Sequence, residues 1–241
     1  MAAALLVIAF LAEVVGTIAG FGSSTLFLPF ALFFVDFPTA LILVACFHIF
    51  GNLGRIAFFR HGLDTRLLLL FGIPSVLFTV LGALLIGAIP QEMLKLALGI
   101  FLLLFSIASL AKPGFAFQPS SRHAVIGGSL SGFLAGLIGT GGALRGAFLT
   151  SFRLQKERYI ATAAAIALAV DITRIPIYLG SGFLDPQFYS FLPLLLVIAI
   201  AGSYAGKRIV DALPQQLFRK IVLAALAAVS LKLVYDGILF F

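Results

Sequence analysis

GTIAGFGSSTLFLP, residues Gly16 to Pro29, and GLIGTGGALRGAF, residues Gly136 to Phe148, decide how this chain folds. Each is a run of glycine and small residues in the middle of an apolar segment about 30 residues long. A simple membrane helix least tolerates flexible residues at its centre, so the helix is expected to break there. A break at membrane depth frees backbone N–H and C=O groups. These are tolerated only where they are buried in protein or line a cavity that a polar solute can enter. Two such breaks predict a candidate site.

Working outward, the composition sets the class. With 241 residues, 62% hydrophobic and 10% charged, and a mean hydropathy of +1.18, the chain has too much apolar surface for one soluble core. It reads as an integral membrane protein. The net charge of +7 raises nucleic acid as a partner, but basic residues of a membrane chain collect in cytoplasmic loops, and that reading is preferred. The single cysteine, Cys46, excludes an intramolecular disulfide and a cysteine metal cluster. The start, MAAALLVIAFLAEVVG, lacks the basic opening and cleavage site of a secretory signal, so it is expected to be the first part of the membrane domain.

Apolar segments run over about Ala3–Val35, Pro38–Phe59, Leu67–Ile89 and Met93–Leu110, then over Ala124–Phe152, Tyr159–Leu179, Phe188–Val210 and Leu217–Ile238. The second four restate the first four. Ile89-Pro90-Gln91-Glu92 recurs as Leu213-Pro214-Gln215-Gln216, and Gly82 matches Gly206 at the same offset of 124. This predicts a first membrane repeat over 1–110, a linker over 111–123 and a second repeat over 124–241. Eight simple spans would scatter the basic loops to both sides. If the first segment of each half instead turns at its glycine break and leaves on the side it entered, each half crosses three times and the second half is inverted. Arg55, Arg60, Arg66, Lys112 and Arg122 then share one side with Arg153, Lys156, Arg158, Lys207, Arg208, Arg219 and Lys220, leaving Lys95 and Lys232 on the other. The expected fold is therefore an all-α polytopic membrane protein of two inverted repeats. Each opens with a re-entrant or broken helix followed by three transmembrane helices, with both termini outside; a kinked full span is the alternative for the first segments.

Charges within the apolar segments are functional suspects, because each is costly in lipid unless paired or facing a cavity. Arg145, three residues after Gly142, can hold an oxyanion beside free backbone N–H groups; snorkelling to the surface is the alternative. Asp171 and Arg174 are three apart on one helix face, as a structural pair or a coupling site. His48, Asn52 and Arg55 form one stripe. His48 is either a proton carrier or a packing histidine. Glu13, one turn before Gly16, is a protonatable gate or a helix-to-helix hydrogen bond. Ser23, Ser24, Thr25 and Thr140 offer hydroxyls, to a solute or as helix caps. The pairs Gly16 with Gly20, Gly132 with Gly136 and Gly202 with Gly206 point to close helix packing. No metal-ligand cluster, nucleotide loop or nucleophile with a nearby base stands out, which argues against an enzyme and implies no cofactor.

Gly20-Phe21-Gly22-Ser23-Ser24 and Gly139-Thr140-Gly141-Gly142, duplicated about 119 residues apart with Pro29 closing the first, resemble the sulfite exporter TauE/SafE family of bacterial membrane transporters. The resemblance runs from Gly16 to Gly237. Ser23-Ser24 stands where the family commonly has more glycine, Phe148 replaces the second proline, and Arg145 is inserted in the apolar strip. The family resemblance implies movement of sulfite, sulfoacetate or another sulfonate across the bacterial inner membrane, driven by the proton gradient or by the anion's own. Combined with the residues above, the expected substrate site is Gly20, Gly22, Ser23, Ser24, Thr25, His48, Asn52, Gly139, Thr140, Gly141, Gly142, Arg145 and Arg174. The expected proton-coupling residues are Glu13, Asp171 and His48. The expected partners are a small anionic substrate and the lipid bilayer, with no nucleic acid and with a homodimer left open. A passive anion channel using the same breaks is the rival reading.

Overall fold

The computed structural model describes residues 2–19, 22–59, 62–112, 119–209 and 215–240, without the side chains of residues 2, 19, 215–222 and 225. Among the described residues every regular element is a helix. They are α1 (Ala2–Ala19), α2 (Ser24–Ala31), α3 (Phe37–Phe58), α4 (Thr65–Ala88), α5 (Gln91–Ala111), α6 (Ser121–Ile138), α7 (Gly142–Leu149), α8 (Lys156–Gly180), α9 (Phe191–Ile209) and α10 (Gln215–Leu239). Among the described residues five of them, α3, α4, α5, α8 and α9, are long and apolar enough to cross a membrane.

The helix boundaries follow local chemistry. Pro38 opens α3, where a missing N–H costs nothing. Asp64 accepts a hydrogen bond from the Leu67 N–H (3.0 Å) at the start of α4, and Ser120 accepts one from the His123 N–H (3.2 Å) at the start of α6. Inside α4, Leu68–Gly72 widens into a π turn just ahead of Pro74, which has no N–H to offer the preceding turn.

Both glycine-rich stretches break their helix and reverse it. Gly22 (φ +89°) and Gly139 (φ +75°) adopt the left-handed conformation that only glycine enters cheaply. Ser131 Oγ donates to the Gly141 carbonyl at 3.0 Å, whereas ten residues of continuous helix would set them about 15 Å apart. So α7 folds back along α6. In the same way α2 folds back along α1: a side chain on Gly16 would sit 2.6 Å from the carbonyl carbon of Gly22. The first segments are hairpins of one long and one short helix, and a kinked full span is not what forms.

Contacts fix the helix directions. Asp171 of α8 bonds His48 and Asn52 of α3, and Ile160 packs beside Phe59, so α3 and α8 run antiparallel. Gly99 faces Leu233 and Val234 while Leu96 faces Gly237, which makes α5 and α10 antiparallel too. By contrast α6 runs parallel to α4, with Gly128, Gly132 and Gly136 on the backbone of Phe71, Ser75 and Thr79, and α1 runs parallel to α9, with Glu13 against Gly202 and Thr17 against Gly206. The α3 end, the α4 and α6 starts, the α8 start and the α9 end therefore share one end of the bundle. Arg158 pairs with Asp64 there (3.5 Å), Arg66 donates to Ser121 (3.0 Å) and Lys207 to the Phe58 carbonyl (3.1 Å). Lys95 and Lys232 lie at the opposite end. Arg60 lies outside the described residues.

The core gathers around Phe27, Leu28, Phe37, Leu41 and Phe47, with the Phe27 and Phe47 rings edge to face at 4.9 Å. The outer faces of α4, α5 and α9 expose Leu77, Leu84, Leu104 and Val197, as lipid-facing surfaces do.

Candidate functional site

Between the two hairpins, α3 and α8 press a band of buried polar side chains together. Glu13, Thr17, Ser23, Ser24, Thr25, His48, Asn52, Arg55, Thr140, Arg145, Asp171 and Arg174 are all buried. At membrane depth each must find a partner or a cavity, and eight of the twelve are joined in one connected network.

Arg55, on the inward stripe of α3, has four. Its Nη2 donates to Glu13 Oε1 (2.5 Å) and Ser23 Oγ (3.4 Å), its Nη1 to Asn52 Oδ1 (2.8 Å), and its Nε to Thr17 Oγ1 (3.1 Å). Ser203 of α9 donates to the same Glu13 oxygen (2.6 Å). Asn52 passes the chain on, its Nδ2 donating to Asp171 Oδ2 (3.2 Å). His48 Nδ1 lies 2.8 Å from the same oxygen, and beside a carboxylate that nitrogen carries the proton. Asp171 Oδ1 takes Arg174, which donates through Nε (3.0 Å) and Nη2 (2.8 Å). The remaining Arg174 nitrogen donates to the carbonyls of Ala135 (2.8 Å) and Gly139 (3.0 Å), the free C-terminal end of α6. Tyr178 adds a bond to the Gly136 carbonyl (2.6 Å). Arg174 thus braces the second break.

The two breaks touch: Thr25 Oγ1 and Thr140 Oγ1 are 3.1 Å apart. Ser24 and Gly142 begin the two short helices, α2 and α7, and Ser23 and Gly141 precede them. Gly20 lies outside the described residues. His48 Nε2, buried and without a partner among the described residues, would stand 2.8 Å from a side chain at Gly22, and Arg145 Nη2 would stand 3.5 Å from it, so the two residues flank the first break.

Arg145 differs from the rest. It is 4% exposed, so it does not reach a surface as a snorkelling arginine would. Among the described residues no carboxylate or hydrogen-bond acceptor engages its guanidinium. Its partner is space: a cavity lined by Gly16, Thr17, Gly22, Asn52, Arg55, Arg145 and the α8 face at Ile160, Ala163 and Ala164. The cavity is small, about 10 Å³, room for a single water. Two guanidinium groups and no carboxylate line it, so its chemistry is that of an anion site.

Sequence reasoning placed Glu13, His48, Asn52, Arg55, Arg145, Asp171 and Arg174 as suspects, and the fold brings all seven to this centre. It gave no role to Thr17, Ser203 or Tyr178. The available signals were Thr17 lying one turn after Glu13 and Ser203 lying inside a Gly-x-x-x-Gly pair.

Comparison with known proteins agrees with the fold. The family model described as "Sulfite exporter TauE/SafE" matches residues 5–233. A protein of Methanocaldococcus jannaschii named "Probable membrane transporter protein" is 26% identical over 223 residues, covering 84% of this chain and 83% of the relative. With membrane-length apolar helices, paired hairpins and a match over nearly its whole length, this multi-pass chain belongs to the sulfite exporter TauE/SafE family of membrane transporters.

Proposed function

We propose that the protein is a secondary transporter that exports a small sulfur oxyanion, sulfite or a sulfonate, across the bacterial inner membrane, with its basic end in the cytoplasm. The observation that carries this reading is Arg145, a buried cation that no carboxylate pairs with among the described residues, facing a cavity at the first break. Backbone N–H groups at the starts of α2 and α7 suit an oxyanion for the same reason that helix N-termini suit phosphate. The antiparallel packing of α3 on α8 and of α5 on α10 supports a pair of inverted repeats over 1–110 and 124–241, joined by the linker. Such repeats have two arrangements of similar energy, one open to each side. Room for a single water is too little for a sulfur oxyanion, which supports a carrier that must open to load over a channel that stays open. Glu13, Asp171 and His48 are the candidates for the coupling proton of this scheme, since each is a titratable side chain within the buried network.

The test is thermal unfolding of the detergent-purified protein against sulfite, sulfoacetate, taurine, thiosulfate, sulfate, oxalate and chloride, repeated for Arg145→Ala. A ligand at about 100 times its dissociation constant stabilises the folded state by roughly 2.7 kcal/mol. Stabilisation by a sulfur oxyanion that disappears in the variant is the expected result. A variant that binds the same anion equally well removes Arg145 from the site.

A further inference from the structure

The cavity beside Arg145 has a second cation on its wall. Arg55 lines it together with Thr17 and Asn52, yet behind the cavity wall the same guanidinium is neutralised by Glu13, the only carboxylate it touches among the described residues. Glu13 itself does not line the cavity. It is fully buried; one oxygen accepts both Arg55 and Ser203, and the other, Oε2, accepts nothing among the described residues. The carboxylate lies flat on Gly51, where a side chain would stand 2.6 Å from that idle oxygen. A buried carboxylate with one oxygen bonded and one idle has a place for a proton that disturbs no existing hydrogen bond.

We propose that Arg55 is a second anion-binding residue held in reserve by Glu13, and that a proton on Glu13 Oε2 releases it, so that the site takes up a sulfur dianion together with one proton. The inference rests on the anion-transporter reading above and gives that site its charge class. With Glu13 ionised, the cavity wall carries one guanidinium that no carboxylate pairs with among the described residues, that of Arg145; with Glu13 protonated it carries two guanidinium groups that face no ionised partner, which match a dianion. The groups facing Glu13 are Arg55 from α3 and Ser203 from α9, while the turn before α2 presents Ser23, itself bonded to Arg55. On α1 the neighbour Thr17 is also bonded to Arg55. Lys207 and Arg208 of α9 are engaged elsewhere, by the Phe58 carbonyl and the Tyr204 hydroxyl. His48, Asp171 and Arg174 are separated from Glu13 by Asn52 and Arg55, so they form a different titrating unit.

The experiment measures binding of sulfite and thiosulfate by thermal shift to the full-length protein, Glu13→Gln and Arg55→Gln. Thiosulfate is informative because it stays a dianion across the neutral range, so any pH dependence belongs to the protein. In the unaltered protein thiosulfate affinity is expected to rise by about tenfold for each pH unit lowered while Glu13 is ionised, the slope of one linked proton. Glu13→Gln, fixed in the released state, is expected to bind thiosulfate about tenfold or more tightly above neutral pH, with a flat profile. Arg55→Gln is expected to bind weakly, also with a flat profile. The Arg55→Gln result and the unaltered profile decide the matter even if Glu13→Gln does not fold. A flat profile for the unaltered protein overturns the proposal, as does a slope that persists in either variant. If sulfite stabilises the protein and thiosulfate does not, the two-arginine dianion site falls while the transporter reading stands. If neither does, the two-arginine dianion site falls, and the transporter reading falls with it when the sulfonates of the wider panel also fail to stabilise the protein.

Discussion

Asp171 accepts from His48, Asn52 and Arg174 at once, all within buried surroundings. Replacing it by asparagine keeps the shape but strands the Arg174 charge, and leaving one member of a buried ion pair alone costs about 3–5 kcal/mol. Asp171→Asn is therefore expected to lower the midpoint of thermal unfolding sharply, whereas His48→Asn, which removes no charge partner from Arg174, lowers it far less. Equal losses in the two variants would place the value of Asp171 on the histidine instead. At this scale the sequence is partly legible. An arginine three residues after a glycine break stands out because charge is costly in an apolar run. The Asp171 and Arg174 pair is also legible, since three residues along a helix bring side chains together. The link between Arg55 and Glu13 is not, because 42 residues and a reversed hairpin separate them and no local periodicity measures that distance.

Among the elements, the closest packing is that of α6 on α4. A side chain on Gly132 would meet the Ser75 backbone, 2.6 Å from its carbonyl carbon, and the Ser75 and Thr79 hydroxyls lie 3.0 Å from the carbonyls of Gly128 and Gly132. Small residues let the two backbones touch, which is the chief source of helix association where lipid removes the hydrophobic drive. Gly132→Val is expected to cost about 3 kcal/mol through overpacking, read as a lowered unfolding midpoint. Leu130→Val, on the exposed face of the same helix, should shift stability by less than about 0.5 kcal/mol. Both glycine breaks were visible in sequence, and so was the Gly132 with Gly136 pair. The π turn at Leu68–Gly72 was not, since an unbroken apolar run carries no signal of its own hydrogen-bond register, and Pro74 alone reads as an ordinary helix start.

For the whole molecule, the uneven spread of basic residues was the most informative sequence feature. It required the first segment of each half to turn back, and the hairpins at Gly22 and Gly139 do turn back. It could not give packing order, which depends on which helix faces which. The sidedness itself is a separate proposal. In a Cys46→Ala background, Lys232→Cys is expected to react with a membrane-impermeant maleimide on intact cells, and Arg158→Cys only after permeabilisation. The reverse pattern would turn the protein over in the membrane.

The glycine contacts join α1 to α9 and α6 to α4, so each hairpin is seated on a helix from the far part of the chain. A fragment ending near residue 112 would leave the backbone stripe of α4 facing lipid and α1 without its seat. The fragment beginning near residue 119 would lack the mates of α6 and α9. The two parts are clasped like interlaced fingers. Assembly therefore cannot finish on the ribosome's first product: the leading hairpin, made first, must wait for nearly the last of the chain before it has anywhere to rest.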